Sequence, residues 1–190
     1  MPWRNCVNGF AIEAMELAAH QRAMLDLIRG TRRNIVDDDP YVLRVGRSPD
    51  LVEARGNILL WRIYVLERTS ILTVELLRSR NLLEPTLEAF IAATNLSPFR
   101  EFQPRAFLAF LHDDNDPLVR SVSRFESALM QVREGAVETF EVDWTVEPRR
   151  VLKALANGEA LDGQLVPGAF VSYVSRLLPH LFETRSLVLT

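Results

Sequence analysis

One cysteine, one lysine and three histidines stand in a chain of 190 residues. Each scarcity excludes something. Cys6 has no second cysteine to pair with, so no disulfide forms within the chain. A lone thiol suits a reducing compartment, and the expected location is cytoplasmic. His20, His112 and His180 have no second His or Cys at the spacing of a zinc site. Lys153 is the sole lysine, and the other basic residues are arginines scattered among acids. The formal net charge is -3 and the sequence pI about 5.7. That balance offers no general attraction to nucleic acid or to an anionic membrane. Walker loops, GxGxxG turns and GxSxG elbows are all missing.

Long uninterrupted apolar runs are also missing. The most apolar stretch, Ile58 to Leu77, carries Arg62, Glu67, Arg68 and Glu75. Charges in the middle of a span cost too much for an ordinary membrane helix, so this reads as one buried helix. Met1 to Phe10 lacks the apolar core of a secretory signal.

What remains is ordinary globular material, 48% hydrophobic and 25% charged, enough to bury a core. Phe10, Ala14, Leu17, Ala18, Met24, Leu25 and Ile28 fall on one helical face, with Gly30 as a C-terminal cap. Thr31 to Gly46, with Asp37, Asp38, Asp39 and Pro40, reads as a long loop. Ser48 and Pro49 start a helix, which Gly56 is expected to interrupt or weaken. Pro85 and Pro104 open two short helices that bury Leu87, Phe90 and Ile91, then Phe107, Leu108 and Leu111. From Asp116 and Pro117 to Gly135, Leu118, Val122, Phe125, Leu129 and Val132 make an apolar stripe.

After Gly135 the period changes. Phe140, Val142 and Trp144 alternate with polar residues, as in a half-buried strand. Pro148 to Asn157 returns to helical spacing and Gly158 stops it. Pro167 and Gly168 read as a turn. Phe170 to Val174 and Phe182 to Val188 read as strands. The fold class is therefore α+β, predominantly α. A helical bundle over 1–135 precedes a small βαββ unit over 136–190.

Candidate chemistry is sparse. His112, Asp113, Asp114, Asn115 and Asp116 lack the alternating ligand spacing, central Gly and distal Glu of a calcium loop. Asp116 already serves as a helix cap. Cys6 has no base beside it. No catalytic residue, metal ligand or cofactor is expected in this chain. The functional surface to weigh is the small sheet, whose edges either close on the bundle or accept an added strand. Its candidate peptide-binding residues are Phe170, Tyr173, Phe182, Thr184, Ser186 and Val188.

Four segments carry a family resemblance. Tyr64, Arg68, Ser70, Ile71, Leu72, Glu75 and Leu76 follow a "Y…R.SL…L" helix. Phe99 to Leu111, with Pro104, Phe107 and Leu108, is similar to a "YG..FP.FL" segment. Pro117 to Leu129 follows "P.L.DLAR.EWAL", with Ser127 in the place of Trp. Val151 to Glu159, then Tyr173 through Leu178, Pro179 and Phe182, is similar to the C-terminal half. From Leu17 to Val188 the chain resembles a bacterial family named for a DNA-binding domain. Its members pair with multinuclear non-haem iron-dependent oxidases that modify cysteines in ribosomally made peptides.

The resemblance implies a non-catalytic subunit that helps hold the precursor peptide. The iron would sit in the partner oxidase. No membrane is implied. A DNA-binding transcriptional regulator is the alternative, with Pro148 to Asn157 as recognition helix through Arg149, Arg150 and Lys153. Glu141, Asp143 and Glu147 beside it argue against nucleic acid. An independent metal-dependent hydrolase is disfavoured by the three isolated histidines.

Overall fold

The computed structural model describes residues 4–31, 39–94, 101–161, 163 and 165–187, with side chains described from Leu17 onward. The fold is predominantly α with one small antiparallel sheet, as the periodicities predict. The helices are α1 (Arg4–Arg29), α2 (Pro40–Gly46), α3 (Pro49–Thr69), α4 (Ile71–Ser79), α5 (Leu83–Ala93), α6 (Gln103–Phe110), α7 (Pro117–Arg133) and α8 (Pro148–Asn157). A 3-10 turn, Leu111–Asp113, joins α6 to α7. The strands are β1 (Phe140–Val146), β2 (Pro167–Val174) and β3 (Phe182–Ser186), in spatial order β1-β2-β3. Helix α8 lies between β1 and β2 in the chain, so the C-terminal order is βαββ.

Local chemistry explains most boundaries. Ser48 and Asp116 each accept the N–H two residues on, and a proline follows each at the first helical position. Helix α8 ends where Gly158 turns left-handed at φ 66°. On α7, Leu118, Val122, Phe125 and Val132 are buried along one stripe.

Five expectations need correction. Thr31 to Gly46 is not all loop, because Asp39 accepts the Tyr41 N–H at 2.8 Å and starts α2. Gly56 does not interrupt α3, which runs unbroken for 21 residues. The stretch Ile58 to Leu77 is two helices, parted at Ser70 with φ -130° and ψ 53°. Pro167 and Gly168 begin β2 instead of turning. Pro167 is the strand's first residue, beside the irregularity between Trp144 and Val146, where a missing N–H is tolerated. Among the described side chains of α1, Ala23 and Leu27 are buried, while Leu17 and Leu25 are exposed. That face meets Val42 of α2 and Leu51 of α3 in a small separate cluster. Val188 lies outside the described residues.

The main core draws on both the bundle and the sheet. Leu66, Val74, Leu77, Phe90, Phe107 and Phe125 pack with Val142, Trp144, Val151, Leu155 and Val174. Phe125 is its hinge point. Its ring meets Trp144 at 5.8 Å and Phe182 at 5.1 Å, both edge-on. Burying an aromatic of this kind stabilises by about 1.5–3 kcal/mol, and the edge-on geometry adds about 0.5–1.5 kcal/mol. Among the described residues no helix is long and apolar enough to cross a membrane.

Candidate functional site

The two edges of the sheet differ. The Leu187 N–H donates to the Ala169 carbonyl at 2.8 Å, and the Ser175 N–H to the Leu181 carbonyl at 2.8 Å. Hydrogen-bonded pairs alternate along an antiparallel ladder. The bonded pairs between these ends are therefore Val171 with Arg185 and Tyr173 with Glu183. Glu183 and Arg185 turn their backbone groups toward β2. Phe182, Thr184 and Ser186 turn theirs outward, and no described residue bonds to those three N–H groups.

The same alternation pairs β2 with β1 through Phe140, Val142 and Trp144, and leaves the backbone of Glu141 and Asp143 outward. Here α7 intervenes. Ser121 Oγ donates to the Asp143 carbonyl at 2.7 Å. Helix α7 thus takes one outward carbonyl at the β1 edge, while no described residue bonds to the outward N–H groups of β3.

The candidate side chains split between two faces. Phe170, Phe182, Thr184 and Ser186 lie on the face turned to α7, where Phe182 packs on Phe125 and Thr184 Oγ1 meets Ser172 Oγ at 3.1 Å. Tyr173 lies on the opposite face, with the Arg185 guanidinium 5.4 Å over its ring. Phe182 and Phe170 are therefore core packing first. What β3 presents at its edge is backbone.

Beside the start of β3 opens a cleft of about 620 Å³ between α4, α7 and α8, with Leu72, Leu129, Leu152 and Phe182 in its walls. Arg149, Lys153 and His180 rim it. A second cleft, about 400 Å³, shares Leu72, Leu129 and Ala156 with the first and carries Arg68 and Arg133. The two clefts adjoin along those three residues, and the pair is called the groove. Its far end adjoins an exposed patch on α3, where Trp61 and Tyr64 stack at 5.7 Å and Arg68 lies 3.8 Å over the Tyr64 ring.

Glu126 sits under this groove. It is nearly fully buried, and its two oxygens accept the Leu72 N–H at 3.0 Å and the Thr73 N–H at 2.9 Å. Burial pushes its carboxyl above the usual range, while the Thr73 and Leu72 bonds pull it back. The signal in the sequence was a carboxylate set inside the apolar stripe of α7, one residue after Phe125. Arg149 and Lys153, one turn apart on α8, are both exposed, and Arg150 pairs with Glu147. The opposite side of α8, with Val151, Leu152 and Leu155, is buried in the core.

His20 lies on α1, 3.4 Å from Asp39, His112 in the 3-10 turn and His180 at the groove. Among the described residues no three His, Cys, Asp or Glu side chains gather as metal ligands. No protein-family profile, curated protein or solved structure matches the chain.

Proposed function

We propose that this chain is the non-catalytic partner and precursor-peptide recognition subunit of an iron-dependent oxidase. That oxidase modifies cysteines of a ribosomally made peptide, and the product is a copper chelator of the methanobactin type. Iron belongs to the oxidase subunit, and the pair works in the cytoplasm. The observation that carries the reading is the β3 edge, where three outward N–H groups have no partner among the described residues. An extended peptide adds to such an edge through its backbone, and its alternate side chains select the sequence. The four motif segments support the family part of the reading.

Two experiments test it. Co-expression with an oxidase of this class encoded beside the gene should yield one chromatographic peak holding both chains; separate elution at micromolar concentration sinks the pairing. Calorimetry with the precursor's leader peptide should show binding that a proline at Thr184 or Ser186 weakens. Unchanged affinity in both well-folded variants removes β3 from the reading.

A further inference from the structure

We infer that the groove between α4, α7 and α8 binds an acidic polypeptide segment that also carries apolar side chains, continuous with the strand added at β3. This deepens the recognition reading and rests on it for the occupant being polypeptide.

Charge carries the inference. The chain is acidic overall at -3, yet Arg149, Lys153, Arg68 and Arg133 line this one groove. Two carboxylates line the clefts: Glu126, which also feels the charge of Arg133, and Glu134. Glu126 is buried and spends both oxygens on the α4 backbone. Glu134 pairs with Arg105. Arg149 and Lys153 stand exposed, and no ion pair to either occurs among the described residues. A cationic rim with unpaired charges favours a negative occupant and disfavours a positive one.

The floor decides that the occupant is more than a polyanion. Leu72, Leu129, Leu152, Ala156 and Phe182 give the groove apolar walls that nucleic-acid phosphates would not use. Clefts of about 400 and 620 Å³ fall in the range of roughly 300–1,000 Å³ that holds ligand-sized groups. Phe182 is the first residue of β3 and a wall of the groove at once. The groove therefore opens beside one end of the β3 edge.

The test is fluorescence anisotropy on the full chain with three labelled probes. These are a peptide of alternating Glu and Leu, its counterpart with Lys for Glu, and a single-stranded DNA oligonucleotide. The Glu-Leu peptide should bind, and weaken as salt shortens the Debye length from about 30 Å to about 8 Å. The Lys peptide should not bind. Charge reversal in the pair Arg149→Glu and Lys153→Glu should weaken the acidic probe about ten-fold or more. Arg68→Glu with Arg133→Glu, at the other end, gives a second and independent loss. Arg176→Glu, exposed and outside the groove, should change nothing. Equal binding of the two peptides overturns the inference, as does an unchanged affinity in both charge-reversed pairs. DNA binding tighter than the acidic peptide, lost in the same variants, overturns it in favour of nucleic acid. The proline variants of β3 separate the two claims: loss of leader pairing with intact charge preference supports edge and groove together. A leader that ignores those prolines brings down the edge reading alone.

Discussion

The carboxylate of Glu126 on α7 accepts the backbone N–H of Thr73, 53 residues earlier in the chain, at 2.9 Å. Its other oxygen takes the Leu72 N–H. A helix start leaves its first N–H groups without partners. Ser70, at the cap position of α4, makes no side-chain bond to them. Glu126 does that work from another helix, and so parts α4 from α3.

Removing this tertiary cap should be costly. Glu126→Ala orphans two N–H donors, at roughly 1–3 kcal/mol each. Glu126→Gln keeps one acceptor and should lose less. The pH dependence has a definite sign. Burial raises the folded pKa above the unfolded one, so the folded state holds the proton more tightly. The group's stabilising contribution is full below the unfolded pKa and declines as pH rises through the folded pKa. Urea midpoints of wild type and Glu126→Gln across that window should therefore move against wild type as pH rises. A gap that widens in favour of wild type contradicts the assignment.

The parity of β3 makes a sharper forecast. Proline at Thr184 or Ser186 removes an outward N–H and leaves the ladder to β2 intact. Those variants should fold as wild type does. Proline at Arg185 breaks a bond to Val171 and strands its carbonyl, at about 1–3 kcal/mol. Urea denaturation of the three variants side by side reads the register directly, and a larger loss at 184 than at 185 would mean the ladder runs one residue out.

Gly158 ends α8 at φ 66°, with nothing within 4 Å of where a Cβ would sit. The cost of Gly158→Ala is therefore conformational, about 1–2 kcal/mol. Gly158→Asn should cost less, because Asn visits this region more readily. Thermal melts of both variants check the order.

Arg62 is buried on α3, and its Nε and Nη1 make no hydrogen bond among the described residues. Burial, with Arg29 nearby, lowers its pKa, and its guanidinium lies 5.8 Å from the Phe90 ring centre. Desolvating an ion without full pairing is unfavourable. Arg62→Met keeps the apolar stem and should raise stability by about 1 kcal/mol or more. A urea midpoint that falls instead would show that the guanidinium's contact with Phe90 outweighs its desolvation.

The limits of one-dimensional reading show at particular residues. Asp116 with Pro117, and Pro148 with Gly158, act on neighbours within four residues, so α7 and α8 were legible. Asp39 with Pro40 is the same signal, obscured by the acidic run before it. The exposed Trp61 and Tyr64 were hidden in a stretch apolar on every side, because periodicity has no contrast there. The candidate side chains Phe170 and Phe182 looked like a recognition surface, yet their strand face is turned to Phe125.

The sequence alone determined where α7 and α8 begin and end, where α3 begins, and that strands follow Gly135. These outcomes depend on short-range caps, proline geometry and side-chain period. Tertiary structure decided the break at Ser70, the bond from Ser121 to the outward Asp143 carbonyl, and the gathering of Arg68, Arg133, Arg149 and Lys153 around one groove. Each of these depends on groups far apart in the chain. Their partners are chosen by which apolar faces pack together, and local sequence carries no record of that choice.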